Sequence, residues 1–287
     1  LTTQIIPDQW RRAVLFAAPK GDGTDPDELR PISMVECAMK LVTQLLARRI
    51  NKIAYETRNA PRPLFRASQS GFRRGMGCAV PLTILLQCIE KAKAEGKPLH
   101  LLSGDMRRAF DYAEHWSIQR CYERAGLPPT FRRLMAELCA GNTTRADTVG
   151  GLTADIDIER GTRQGETLSP LNWLFFIDPM IELLERKHAS KGFPLTPTHK
   201  VQSLVYADDL MLLCSSSKDM ADMFETCNEY MHYNECHYNP KKTVYTATNV
   251  DKNDSAKAPW IKTPAWSPAK SDFATTIGAR EPFRYLG

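Results

Sequence analysis

Residues 204–214 read Leu-Val-Tyr-Ala-Asp-Asp-Leu-Met-Leu-Leu-Cys, two apolar runs with adjacent carboxylates between them. Leu204 and Val205 lead in, and Leu210 to Leu213 lead out. Two neighbouring ionised acids repel, and apolar surroundings raise the cost of each charge. Three arrangements remove that cost. The acids take up protons, they point into water at the bend of a hairpin, or a divalent cation holds them. On this segment alone the solvated bend and the cation both stand.

A second acid bears on the choice. In the run His100-Leu-Leu-Ser-Gly-Asp105, apolar residues lead into an acid at the end of an expected strand. An acid on one strand end and an acidic pair on a neighbouring hairpin can converge. Hard oxygen ligands of this kind suit Mg²⁺, which keeps waters and takes substrate phosphates as further ligands. Two such ions a few ångströms apart are a means of in-line phosphoryl transfer.

At 287 residues, 43% hydrophobic and 25% charged, the chain has the composition of a soluble globular protein. It is long enough for one large domain or two small ones. No apolar run approaches the roughly 18 residues of a membrane span; the best candidate, 171–184, is broken by Asp178 and Pro179. The start, Leu-Thr-Thr-Gln, reads as part of a longer polypeptide. The eight cysteines form no CxxC pair, which favours reduced thiols in a nuclear or cytoplasmic protein. Cys227, His232 and Cys236 are close in sequence, but a fourth zinc ligand has no obvious place. Residues 1–75 hold 13 Lys and Arg against 7 Asp and Glu, whereas the remainder holds 25 against 26. A basic first third suits a polyanion partner, although a chance imbalance on a solvated surface gives the same count.

Periodicity predicts a strand over 11–19, a turn-rich loop through Pro31, and helices over 33–55, 79–95, 116–126 and 129–140. It predicts a strand at 99–104, a hairpin over 145–160 turning at Gly150–Gly151, and an apolar helix over 169–188. The acidic hairpin, a helix near 218–234 and a strand near 243–247 follow. Residues 249–282 are expected to be a loop or insertion. Strands and helices without a βαβ repeat predict an α+β fold.

Several blocks also resemble a known family. Tyr206-Ala-Asp-Asp209 is similar to the YxDD box of reverse transcriptases. Asp105-Met-Arg-Arg-Ala-Phe-Asp111 resembles their first catalytic block, and Arg160-Gly-Thr-Arg-Gln-Gly-Glu-Thr-Leu-Ser-Pro-Leu171 their G-x-R-Q-G block. Asn239-Pro-Lys-Lys-Thr243 and Phe283-Arg-Tyr-Leu-Gly287 resemble later palm blocks. Pro19-Lys-Gly-Asp22, Arg30-Pro-Ile-Ser33 and Gln69-Ser-Gly-Phe-Arg73 resemble finger blocks. Eight blocks in order cover nearly the whole chain. Their wording is closest to non-LTR (LINE-type) retrotransposon enzymes, with group II intron enzymes second.

The resemblance implies a right-hand polymerase: fingers over 1–98, palm over 99–248 with part of the fingers interleaved, and an antiparallel palm sheet backed by helices. The primer grip would begin at 283–287, with no thumb in this piece. It implies an RNA template, a DNA primer, dNTPs and two Mg²⁺ ions, with Mn²⁺ as a substitute, inside a larger retroelement polyprotein. Asp105, Asp208 and Asp209 would bind the metals, with Asp209 less direct and the Met106 carbonyl completing one site. Phe110 would be the steric gate against a ribose 2′-OH. Gln164 would line the nucleotide pocket, Arg163 would support it and Tyr206 would lie beside it. Lys20, Arg30 and Arg73 would meet the triphosphate, and Lys242, or Lys241, would protonate pyrophosphate. Phe283, Tyr285, Leu286 and Gly287 would open the primer grip. Asp111 is expected to be structural.

Two departures stand out: Gly104 where a bulky apolar residue is usual, and Glu166 where Asp is commoner. The alternatives are a catalytically inactive RNA-binding scaffold of the same fold, and a palm polymerase that copies RNA into RNA.

Overall fold

Secondary structure follows the apolar patterning closely, and its exceptions have local causes. The computed structural model describes residues 6–19, 29–250, 259–262, 271–277 and 285. The first elements are α1 (Asp8–Arg11), β1 (Arg12–Pro19), β2 (Leu29–Met34), α2 (Cys37–Glu56), α3 (Ala79–Glu95) and β3 (Leu99–Gly104). Next come α4 (Ala109–Tyr112), α5 (His115–Arg124), α6 (Pro129–Cys139), β4 (Thr143–Thr148), β5 (Gly151–Leu152), β6 (Ile156–Asp157) and α7 (Ser169–Lys187). The last are β7 (Phe193–Pro194), β8 (Lys200–Val201), β9 (Ser203–Tyr206), β10 (Asp209–Cys214), α8 (Ser217–Tyr233), β11 (Val244–Thr248), β12 (Trp260–Lys262), β13 (Ser271–Phe273) and β14 (Thr275–Thr276).

Two compact units interleave along the chain: Leu1–Glu56 with Phe110–Phe176, and Thr57–Ala109 with Ile177–Gly287. The sequence expectation divides the chain at 98/99 and allows some interleaving. The first unit takes up the chain again at Phe110.

The first unit holds a sheet ordered β2-β1-β4-β5, with β6 also on β4. β1 runs antiparallel to β2, from Val14↔Met34 to Pro19↔Leu29, and parallel to β4. The sequence reading leaves β2 as loop because of Pro31. That proline is tolerated because β2 is an edge strand, where a missing N–H interrupts no ladder.

The second unit holds a sheet ordered β14-β11-β3-β10-β9. β3 and β10 lie inside it, and nearly every residue of both is buried. Strands covered on both faces read as continuous apolar runs, as these do. Leu99, Leu101, Met211 and Leu213 share a core cluster with Leu85, Cys88 and Phe193. Helix α3 stops at Gly96, which takes φ 60° and donates its N–H to the carbonyls of Ala92 and Lys93. The described parts of 249–282 are more than loop: β12 pairs with β13, and β14 joins the main sheet parallel to β11, with Val244 opposite Thr275. A two-residue strand with no apolar alternation leaves no sequence signal.

In α7, Trp173, Leu174, Phe176, Ile177, Met180, Ile181 and Leu184 have no exposure at all. Its interior acid has a partner, since Asp178 accepts the Arg66 backbone N–H at 2.7 Å. Among the described residues no helix is long and apolar enough to cross a membrane.

Candidate active site

β9 and β10 form the expected hairpin, with Tyr206 opposite Asp209 and Ala207-Asp208 as its turn. Ala207 takes φ 57°, a left-handed conformation that disfavours any side chain. On the other edge of β10, Leu210 pairs with Gly104, so β3 delivers Asp105 to the same end of the sheet. The two acids sense one another. Burial pushes the Asp208 carboxyl above the ordinary carboxylate range, and the negative charge of Asp105 adds to the rise.

Among the described residues no set of three His, Cys, Asp or Glu side chains is placed to hold a metal ion. Mg²⁺ does not need such a set, because it usually takes one or two carboxylates and completes its shell with water and substrate phosphate. A half-buried acid pair whose charges raise each other's cost fits an open site of that type.

The segment 237–243 braces Asp105 from the other side. Asn239 donates its N–H to the Asp105 carbonyl at 2.8 Å, Arg107 donates to the His237 carbonyl at 2.9 Å, and Met106 pairs with Tyr238. In this antiparallel geometry Met106 is the residue whose own N–H and C=O point away from the partner segment. Its carbonyl is thereby left out of that pairing. The Asp105 N–H reaches the Thr243 hydroxyl at 3.3 Å. The exposed Lys241 and Lys242 sit on the same turn, whose carbonyl at Asn239 accepts from Lys242 and Thr243. Gly104 also finds its reason here. A Cβ on it would lie 3.0 Å from the ring of the buried Tyr238, which fills the place of the usual bulky side chain.

A third segment, 68–71, runs beside β9, with Gln69 bridged in parallel to Val205. The Gln69 side chain is only 1% exposed. Its Oε1 accepts the N–H of Gly71 at 2.8 Å and of Ala207 at 3.0 Å, and its Nε2 donates to the Ala207 carbonyl at 3.2 Å. Arg73 is half-buried, and its Nη1 donates to the carbonyls of Arg66 and Gln69 at 2.7 and 2.9 Å. Burial holds its guanidinium below the usual arginine range. Tyr285 lies against the core cluster and donates its hydroxyl to the Leu204 carbonyl at 3.3 Å. Burial pushes its phenol up, with the charge of Asp209 adding to the rise.

In the first unit the Ala-Phe-Asp and Arg-Gln-Gly blocks are joined. Thr162 donates its N–H to the Phe110 carbonyl at 2.7 Å, and Gly161 donates to that of Ala113 at 2.9 Å. Gly161 takes φ 82°, and a Cβ there would meet the Asp111 carbonyl oxygen at 2.5 Å, so only glycine fits. Phe110 packs against Trp173 with ring centroids 5.3 Å apart and ring planes tilted by 36°. Gln164 donates its Nε2 to Asp111 at 3.1 Å, and its carbonyl accepts the Ser33 N–H at the end of β2. Asp111 thus orients Gln164. Arg163 is buried and lines a small cavity with Glu166, Cys139 and His115. Burial lowers its pKa, with the charge of Glu166 opposing. Arg30 is exposed on β2.

Lys20, Phe283, Leu286 and Gly287 lie outside the described residues. All eight cysteines are free thiols. Cys227 and Cys236 are buried while His232 is exposed. The sequence reading gives Gln69 no individual role.

An acid-ended strand thus lies beside the 207–209 bend, which carries two further acids, within a five-stranded sheet. The sequence matches the family described as reverse transcriptase (RNA-dependent DNA polymerase) over residues 18–287. The chain belongs to that family. It is 29% identical over 242 residues to the Pol polyprotein of a type-1 retrotransposable element R2 from Popillia japonica, covering 83% of this chain and 32% of that protein. A counterpart from Nasonia vitripennis is 29% identical over 279 residues, covering 96% of this chain and 25% of that protein. The chain therefore spans a quarter to a third of these relatives. Among solved structures, Candida tropicalis telomerase in complex with a fragment of telomeric RNA matches with a TM-score of 0.62 at 13% identity, over 88% of this chain and 43% of the other. This likeness shows the fold alone.

Proposed function

We propose that this chain is the polymerase portion of a non-LTR retroelement protein, acting in the nucleus or cytoplasm. It would add dNTPs to a DNA 3′-OH on an RNA template. The observation that carries the reading is the strand pairing that brings Asp105 and the 208–209 acids to one end of a sheet. Family membership and the retroelement relatives support the substrate class. The second unit takes the part of the palm, and the β1–β2 region that of the fingers.

Asp105, Asp208 and Asp209 would hold the metals together with the Met106 carbonyl, which its pairing leaves out. Bound Mg²⁺, as two ions or replaced by Mn²⁺, supplies positive charge for the attacking oxygen and the departing pyrophosphate. Tyr206 packs beside the turn. Phe110, braced by Trp173, bars a 2′-OH by collision. Gln164, oriented by Asp111, lines the nucleotide pocket, and the buried Arg163 supports its loop. Lys20 and Arg30 meet the triphosphate; Arg73 has Nη1 committed to two carbonyls, so its part there is mainly to brace. Lys242, with Lys241 as alternative, gives a proton to pyrophosphate. Phe283, Tyr285, Leu286 and Gly287 begin the primer grip.

Primer extension on an RNA template tests this. Asp208→Asn should lower incorporation about 10²–10³-fold, since metal charge stabilisation is worth several kcal/mol. Equal incorporation by both proteins would leave only an RNA-binding scaffold. Phe110→Ala should admit rNTPs, and unchanged sugar selectivity would remove the gate.

A further inference from the structure

The acidic turn rests on a residue that makes no claim to chemistry. Ala207 holds φ 57°, a conformation that is unfavourable for a residue with a side chain. Such a conformation persists only when its surroundings over-determine it. Here the determinant is visible. A single buried amide, Gln69, accepts from the Ala207 N–H and donates to the Ala207 C=O, so both polar groups of the left-handed residue meet one side chain.

The amide is itself fixed. Its oxygen also accepts the Gly71 N–H, and its backbone carbonyl accepts Arg73 Nη1. The main chain on either side is laced to β9: Ser70 donates to the Val205 carbonyl at 2.8 Å, and Val205 donates to that of Ser68 at 2.9 Å. Gly71 permits the approach, because a Cβ there would lie 2.2 Å from the Ala207 nitrogen. Glutamine suits the task by its inventory. It carries an acceptor and a donor on one planar group and no charge, whereas glutamate would bring a third negative charge to Asp105 and Asp208.

We propose that Gln69 is a positioning residue for catalysis: it locks the Ala207 turn so that Asp208 is presented toward Asp105. The inference rests on the polymerase reading above and adds a device to it. A positioned carboxylate loses its use when displaced by about 1 Å, an error that can cost about 10²-fold in rate. Nucleotide binding, by contrast, is not made by Gln69.

The test is single-nucleotide incorporation by the full chain on an RNA template, with kcat and KM for dNTP measured separately. Gln69→Met keeps the volume and removes all three side-chain hydrogen bonds. It should lower kcat about 10²-fold while KM stays within about threefold. Gln69→Glu keeps the two acceptor contacts and loses the donor. Its kcat should fall between those of Gln69→Met and wild type at high Mg²⁺, where the cation offsets the added charge. An unchanged kcat in either soluble variant, or a loss confined to KM, overturns the proposal. Asp208→Asn is run alongside. If it extends as well as wild type, the polymerase reading fails and takes the inference with it. If it is inactive while Gln69→Met is fully active, only the inference fails.

Discussion

Gly71 and Gly77 lie six positions apart, and a methyl group would mean opposite things at each. At Gly71 it would press on backbone atoms of Ala207 and Tyr206, which cannot rotate away; at Gly77 nothing lies within 4 Å. Gly71→Ala should cost about 1–3 kcal/mol as overpacking does, and Gly77→Ala well under 1 kcal/mol, read as shifts in urea unfolding. Equal midpoints would mean that the 68–71 segment does not seat against the turn. Ala207 gives a second expectation at this scale. Ala207→Val should destabilise by about 1–3 kcal/mol, because a β-branched residue resists φ 57°, whereas Ala207→Gly should be neutral or better in the same measurement. The sequence showed the acids of this turn without showing its strain, because the Ala207 φ is held by the Gln69 amide from a distant segment and not by the local string Tyr-Ala-Asp-Asp.

At the scale of elements, α8 begins at Ser216, whose Oγ accepts the Asp219 N–H at 3.1 Å, and its start is legible as Ser-x-x-Asp. Its tie to the chain after α7 is not legible. Lys191 donates to Asp222 and lies 3.7 Å from Asp219. The hydrogen bond from Lys191 holds the Asp222 carboxyl below its ordinary range, and the same bond raises the Lys191 ammonium. A depressed acid stabilises the fold above its unfolded value, near pH 4, and that contribution is lost as pH falls through the lower folded value. The lysine's share is full below its unfolded value, near pH 10, and lost as pH rises beyond it. Between those limits the melting temperature should be flat on this account. Asp222→Asn should lower it at pH 6 and narrow its further drop at pH 3; identical pH profiles for the two proteins would dismiss the tie. The pair is partly exposed, so the effect should be small and should shrink with salt.

For the whole molecule, the excess of positive charge in residues 1–75 is a statement about partners. If that region contacts template phosphates, affinity for an RNA–DNA hybrid should fall linearly on a log–log plot against salt, with a slope that counts the phosphates neutralised. Filter binding between about 50 and 200 mM salt measures it. A flat line would remove the basic region from the interface. Arg30→Ala should reduce that slope by about one if Arg30 meets backbone phosphate, and should leave it unaltered if it meets only the incoming nucleotide.

What the amino-acid string settled by itself was whatever depends on near neighbours. Apolar runs announced β3 and β10 because strands covered on both faces need no polar positions. Gly96 announced the end of α3, and ordered motifs announced the family. What only the tertiary structure decided was anything that depends on which distant segments meet. Pro31 could sit in β2 because the sheet places that strand at an edge. Gly104 was tolerable because Tyr238 covers it. Gln69 became significant because the fold lays it against Ala207. Hydrophobic periodicity is a one-dimensional signal that survives in sequence, whereas a hydrogen bond between residues 69 and 207 exists only once strand pairing has closed the loop between them.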